Sequence, residues 1–330
     1  MALDTLSENE WKLIVDRIRD GHCVPFLGAG VNASSDDGTY QGLPLGSEVS
    51  CQLLEKWLGL ENVDLRNLLK VETYKAIDDS ERYTDLKRVG LENLARVSLH
   101  VEYVDDFKLL LKYLREILPD HKRVPSPLLR TLARLPMPAE DTAPPFQLIV
   151  TTNYDNLLER AFDEAQVPLK KIVQPKQGFN AKQQSTLQKE LSIYKGVVLY
   201  KIHGSFLEDR KKENPEIVIT EEDYIEFLHS VVNSKKGIPG LIRGKLQGST
   251  LLFLGYSLED LDFRTLFKGM IERLPDRDQV KSFAIQRKPS PFWVDFWTKK
   301  KVEIRDVDLY SFAEKLRQRL GINLPEPKLP

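Results

Sequence analysis

The spacing of apolar positions changes character along the chain. Trp11, Ile14 and Ile18 recur at helical spacing behind Ser7-Glu8-Asn9-Glu10, a capping-box sequence, and Gly21 stands where a helix C-terminus favours a residue without Cβ. A continuous apolar run from Cys23 to Leu27 then predicts a buried strand, and the small, polar stretch Ala33 to Gly46 predicts a loop. From Ser47 to about Leu135 the period is helical. Val49, Leu53, Leu54 and Trp57 share one face, and Phe107, Leu110, Leu111 and Leu114 share another. Ser126-Pro127 is an N-cap followed by proline at the first helical position, ahead of Leu128, Leu129 and Leu132. No strand-like run interrupts this stretch, and the proline-bearing segment Pro136 to Pro145 closes it.

Strands and helices then alternate. Phe146 to Val150, Val197 to Ile202, Ile217 to Ile219, Thr250 to Leu254, Val280 to Ile285 and Val302 to Ile304 read as strands. Helices are predicted on Leu157, Leu158, Ala161 and Phe162, behind Thr220 (with Asp223 closing the capping box), after Ser257, and from Asp308 to Leu320. The Gln- and Lys-rich stretch 174–190 predicts a mobile loop. Continuous apolar strands alternating with amphipathic helices predict an α/β fold with a Rossmann-like, doubly wound, mostly parallel sheet. Its core is expected to comprise residues 1–46 and 146–330, with 47–145 as an inserted helical subdomain.

Composition narrows the function classes. The 330 residues carry 48 Lys plus Arg against 49 Asp plus Glu, a formal net charge of −1. Such a balance supplies no long-range attraction, so direct binding to nucleic acid or an anionic membrane is not expected. The local basic run Arg210-Lys211-Lys212 reads as a solvated loop. The two cysteines, Cys23 and Cys51, have no neighbour at metal-ligand spacing, which predicts neither a structural metal nor a disulfide framework. Met1 to Glu10 lacks a leader pattern, and no apolar run approaches the ~18 residues of a membrane span, so a cytoplasmic protein is expected.

In a parallel sheet, ligands bind beyond the carboxyl ends of the strands. Gly28-Ala29-Gly30-Val31-Asn32-Ala33 follows the first strand and fits G-x-G-x-x-G/A, a turn that lets backbone N–H groups approach a pyrophosphate, although it also serves as a plain tight turn. No second strand ending in an acid lies about 20 residues on, which argues against hydride transfer. Thr151-Thr152-Asn153-Tyr154-Asp155 follows the next strand, where Asn or Asp could equally be an N-cap. His203-Gly204-Ser205 places a histidine at a strand end, as a general base or as an imidazole satisfied by backbone. Gly255-Tyr256-Ser257-Leu258-Glu259-Asp260-Leu261-Asp262 offers a close backbone approach at Gly255, a ribose or helix-capping partner in Ser257, and in Asp262 an acceptor for a ribose hydroxyl or a first-turn acid.

The order of these four motifs is distinctive. Phe26-Leu27-Gly28-Ala29-Gly30, Thr152-Asn153-Tyr154-Asp155-Asn156-Leu157, Lys201-Ile202-His203-Gly204 and Phe253-Leu254-Gly255-Tyr256-Ser257-Leu258-Glu259-Asp260 resemble the divergent sirtuin-like domains of bacterial antiphage defence systems, which hydrolyse NAD. The resemblance covers roughly 22–46 and 146–320. It implies that Gly28, Ala29, Gly30, Val31 and Asn32 hold the pyrophosphate, that Asn153 orients the nicotinamide ribose or the attacking water, and that Asp155 binds the nicotinamide carboxamide. It makes His203 the base and puts Gly255 and Ser257 on the adenosine side, with Thr152, Gly204, Tyr256 and Asp262 among the contacts. The departures point the same way. Thr152 stands where sirtuin deacylases carry Gln, Pro44-Leu45-Gly46 replaces their Pro-Asp-Phe-Arg, and their four zinc-binding cysteines are missing. The resemblance therefore implies an NAD glycohydrolase that uses NAD as substrate without a metal, releases nicotinamide and ADP-ribose, and depletes NAD in antiphage defence. The rivals are a non-catalytic NAD or ADP-ribose sensor and an NAD-dependent protein deacylase. It further implies control through a homo-oligomer or a separate partner such as a motor ATPase or an Argonaute-like protein, with the helical insertion as a candidate self-association surface.

Overall fold

A computed structural model of the chain describes residues 6–59, 93–137, 146–206, 216–232, 237–258, 263–264, 267–271 and 280–326. Helix α1 (Glu8–Arg19) starts at the expected capping box: the Ser7 hydroxyl accepts from the Glu10 amide, and the Glu10 carboxylate accepts from the Ser7 amide. Gly21, at φ 68°, lets the chain leave the helix and enter β1 (Cys23–Leu27). A short 3-10 turn (Ala29–Asn32) follows directly. Three helices, α2 (Gly46–Leu58), α3 (Leu94–Val104) and α4 (Phe107–Ile117), then pack on one another through the predicted faces. Helix α5 (Pro127–Leu132) is capped by Ser126 as its sequence requires.

The rest alternates: β2 (Gln147–Thr151), α6 (Leu157–Ala165), β3 (Leu169–Val173), α7 (Ala181–Ile193), β4 (Val197–Lys201), α8 (Glu221–Val232), α9 (Gly240–Gly248), β5 (Thr250–Leu254), β6 (Ser282–Gln286), α10 (Pro291–Thr298), β7 (Val302–Asp306) and α11 (Leu309–Leu320). The seven strands form one sheet in the order β3-β4-β2-β1-β5-β6-β7, and every pairing is parallel. This is a Rossmann-like α/β fold. Side chains alternate between its two faces, so each strand feeds two cores. Val24 and Phe26 join a core with Leu191, Phe227, Ile242 and Trp297, whereas Cys23 and Leu27 join another with Trp11, Ile14, Leu158 and Phe312. The chain leaves β1 toward β2 on one side and reaches β5 on the other, which makes the β1/β5 boundary the switch point of the sheet.

Several sequence expectations need correction. Residues 174–190 are not a mobile loop throughout: α7 occupies 181–193, opened by a reciprocal Asn180/Gln183 cap. Leu191 is its one buried residue, so an amphipathic pattern is nearly absent, and the helix rests on the good intrinsic propensity of its Gln, Lys and Leu residues. Among the described residues, Ile217–Ile219 pairs with no strand. Its backbone is taken up by loops, the Val218 amide donating to the His203 carbonyl at 3.0 Å. Strand β3 escaped notice because it is an edge strand with Lys170 and Lys171 at its centre. Helices α9 and α10 were also missed, the first for its three glycines and the second for its brevity. Asp262, the basic run 210–212 and residues 138–145 of the proline segment lie outside the described residues. Among the described residues no helix is long and apolar enough to cross a membrane.

One ion pair fastens the N-terminal helix to the far edge of the sheet. Arg305 of β7 donates through Nε and Nη2 to the two carboxylate oxygens of Glu10. Burial pushes the Glu10 carboxyl up, but the Arg305 and Ser7 hydrogen bonds outweigh it and hold the group at about 2. A carboxyl depressed in the folded state contributes stability that is complete above its unfolded value and disappears as pH falls through the folded one. Glu10→Gln keeps the capping geometry and removes the charge. Its urea midpoint is expected below that of the wild type at pH 7, and the gap should close as both are titrated from pH 5 toward pH 2.

Candidate active site at the strand ends

The loops after β1 and β5 touch backbone to backbone. The Gly28 amide donates to the Leu254 carbonyl and the Gly30 amide to the Gly255 carbonyl, each at 2.9 Å. A Cβ on Gly30 would lie 2.8 Å from the Gly255 Cα, and one on Gly255 would lie 2.4 Å from the Val31 nitrogen. Gly255 also has φ +72°, a left-handed conformation that side chains resist. Glycine is thus required here for approach as well as for turning.

The β2 loop locks onto this junction. Thr151 donates its hydroxyl to the Leu27 carbonyl at 3.0 Å and accepts from the Asn153 amide at 3.0 Å. The Asn153 side chain donates through Nδ2 to the Gly28 carbonyl at 3.1 Å, and the Thr152 hydroxyl meets the Tyr256 hydroxyl at 3.0 Å. Asp155 accepts from Asn32 Nδ2 at 2.8 Å on one oxygen and from the Leu157 amide at 3.0 Å on the other, so it also starts α6. Burial raises the Asp155 carboxyl to about 6, against the pull of Lys201. Lys201, at the end of β4, is itself fully buried. Its ammonium donates to the Asp155 carbonyl at 2.5 Å and to Glu159 at 3.1 Å. Asn32, Thr151, Asn153, Asp155, Glu159 and Lys201 line one small cavity, with room for about one water molecule. Asn32 Oδ1 and Glu159 Oε2 are buried without a hydrogen-bond partner.

The β4 loop joins through backbone. Gly204, at φ +86°, lets the 216–217 segment pass: a Cβ there would sit 2.2 Å from the Glu216 carbonyl oxygen. The Tyr154 hydroxyl donates to the Val218 carbonyl, and the Tyr154 carbonyl accepts from the Ser205 hydroxyl at 3.3 Å. The His203 imidazole lies edge-on to Tyr224 and Phe227, with ring centroids 5.1 and 5.2 Å away. Its Nε2 is buried without a partner, and burial lowers the group to about 3. A neutral imidazole with an accepting nitrogen follows. The helices α2 to α4 cover this side, since Phe206, Ile217 and Ile219 belong to their apolar cluster and Tyr154 packs against it.

Eight of the expected residues therefore meet in one hydrogen-bonded or contacting net: Gly28, Gly30, Asn32, Thr152, Asn153, Asp155, Gly255 and Tyr256. His203 and Gly204 adjoin it through the Tyr154–Val218 link, while the hydrogen bonds of the Asn153 amide involve other groups than the imidazole. Ala29 and Ser257 are exposed at the rim. Val31 is buried in the apolar core, a packing position. The motif reading gave no role to Lys201, Glu159 or Tyr154. A lysine closing the apolar run Val197–Ile202 was the available signal, because a buried ammonium requires partners.

Residues 147–305 match the family model described as a SIR2-like domain. The chain is 28% identical over 177 residues to "NAD(+) hydrolase ThsA" of Bacillus cereus (strain MSX-D12), which covers 52% of this chain and 33% of that protein. It is 27% identical over 146 residues to "Defense-associated sirtuin 2" of Bacillus subtilis, 43% of this chain and 12% of that protein. The chain thus spans a third or less of the length of these relatives. The SIR2-like match takes in the β2, β4 and β5 loops; the glycine turn after β1 precedes it.

The close approach at the switch point has a direct test. Gly255→Ala should lower stability by at least about 2 kcal/mol in urea unfolding, through strain and backbone displacement. Gly46→Ala, where the added carbon meets nothing within 4 Å, should be neutral.

Proposed function

We propose that this chain hydrolyses the bond between nicotinamide and ribose in NAD, releasing nicotinamide and ADP-ribose. The observation that carries the reading is the meeting of the β1, β2 and β5 loops at the sheet's switch point, with the β4 loop, whose buried His203 Nε2 lacks a partner, joined to the β2 loop through Tyr154. The relative named as an NAD(+) hydrolase supports the same substrate. In this reading the glycine turn 28–32 receives the pyrophosphate, the Gly255–Ser257 loop receives the adenosine side, and Asn153 orients the ribose or the water. Thr152, Asp155, Gly204, Tyr256 and Asp262 complete the contacts. The helices of 47–145 act as an inserted unit over the site.

The proposed chemistry suits a desolvated histidine. The glycosidic bond breaks with its electron pair going to the pyridinium nitrogen, so nicotinamide leaves neutral and positive charge develops on the ribose. Water adds at the anomeric carbon and forms an oxonium oxygen, whose proton passes to His203 and then to solvent. That oxonium is far more acidic than an imidazolium, so a base lowered to about 3 still accepts its proton. A neutral imidazole also adds no positive charge beside a cationic transition state. Water as nucleophile requires no peptide groove.

In cells such an activity would deplete NAD, and the relative named as a defense-associated sirtuin favours a defence setting. We place it in the cytoplasm, held in check through a homo-oligomer or a separate regulatory protein. The test is nicotinamide release from NAD by purified wild type, Asn153→Ala and His203→Ala. Each substitution is expected to reduce kcat at least about 100-fold in protein that still folds, with unfolding midpoints lowered because both side chains are packed or bonded. Normal turnover by both variants would remove the assignment, and NAD binding without turnover by the wild type would leave a sensor instead.

A further inference from the structure

Beneath the β2 loop lies a charged cluster that the catalytic reading does not use. Lys201 rises from β4 into the cavity, its side chain 1% exposed, and divides its donors between the Asp155 backbone carbonyl and Glu159. Glu159 stands one helical turn beyond Asp155 on α6, and Lys171 of β3 reaches it at 3.7 Å. The other charged and titratable groups facing Asp155 are Asp120, from the turn after α4, and Tyr40, from the glycine loop. Arg123 and Arg160 face Tyr40 in turn. Asp120 is committed elsewhere: its carboxylate accepts from the Asn156 amide, and its carbonyl from Arg160. Lys201 is therefore the cation that bonds directly to the Asp155 residue among the described groups.

The consequence runs through Asn32. Its Nδ2 donates to the Asp155 carboxylate, which leaves Oδ1 as its uncommitted group. That orientation is favoured while Asp155 is ionised and accepts through both oxygens. A protonated carboxyl could donate to Asn32 Oδ1 and let the amide rotate. We propose that Lys201 is a positioning residue for the reaction: it pins the backbone turn at Asp155 and keeps the carboxylate ionised, and so fixes the Asn32 amide and the neighbouring Asn153. This rests on the hydrolase reading for its catalytic consequence, but its structural content stands apart from turnover.

Two variants push in opposite directions. Lys201→Met removes the cation, and Glu159→Gln removes the competing anion while keeping an oxygen for Lys201. The decisive measurement is the pH titration of the Asp155 carboxyl carbon by NMR, with Asp155→Asn to assign the signal. Its midpoint, expected near 6 in the wild type, should move up by about one unit or more in Lys201→Met and down by about half a unit in Glu159→Gln. The acid limb of kcat/KM for nicotinamide release should follow the same two directions, with about a twofold loss for Lys201→Met at pH 7 from the change in ionisation and a further loss from the unpinned turn. A purely structural lysine would lower stability and leave both titrations in place, which would overturn the proposal. If Lys201→Met does not fold, Lys201→Gln, which removes the charge and keeps an amide donor, decides in its place: an upward move supports the role and no move ends it. A wild type that never releases nicotinamide sinks the hydrolase reading, and the carboxyl titration then decides whether Lys201 governs Asp155.

Discussion

Two turns of backbone share a space that admits no side chain, and the rest of the site is arranged around that contact. The glycine turn after β1 and the Gly255 turn after β5 are held together by main-chain hydrogen bonds at the boundary where the strand order reverses. A parallel sheet splays its connections apart at such a boundary and leaves a crevice beyond the strand ends. Here the floor of the crevice is drawn tight, because Gly28, Gly30 and Gly255 allow carbonyl and amide groups to meet directly. The β2 loop then anchors on the β1 side of this contact, Thr151 and Thr152 on the Leu27 carbonyl and Asn153 on the Gly28 carbonyl.

Below this floor the fold accepts an expensive arrangement. Lys201, Glu159 and Asp155 put three ionisable groups into a nearly enclosed space, where desolvation works against every charge. Apolar residues of similar volume would pack there without that penalty. What the charges provide is definition: each donor has a particular acceptor, so the turn bearing Asn153 and Asp155 takes one conformation rather than several.

The sequence was most legible where local chemistry and burial agree. The capping boxes at Ser7 and Thr220, the Ser126-Pro127 start, and strands such as Cys23–Leu27 carry their signals within a few residues. The four strand-end motifs were equally plain, since glycine, asparagine and histidine after apolar runs are unusual neighbours. What stayed hidden depended on tertiary context. Strand β3 lies at the sheet edge and carries two half-buried, ion-paired lysines at its centre, so no apolar run announces it. Helix α7 buries a single side chain. Ile217 to Ile219 has the composition of a strand, yet its apolar side chains meet the helical cluster and its backbone meets loops. The roles of Glu159 and Tyr154 arise only when segments distant in sequence come together.

Tyr154 stands between Asn153 and Asp155. Its ring packs against the apolar cluster of α2, α3 and α4, and its hydroxyl holds the segment that borders His203. It works as a peg driven from the β2 turn into the helical layer. Cutting away those helices would strip the peg of its socket and expose an aromatic ring to water. The layer is accordingly a buttress of the site, and the two should lose their order together rather than in succession.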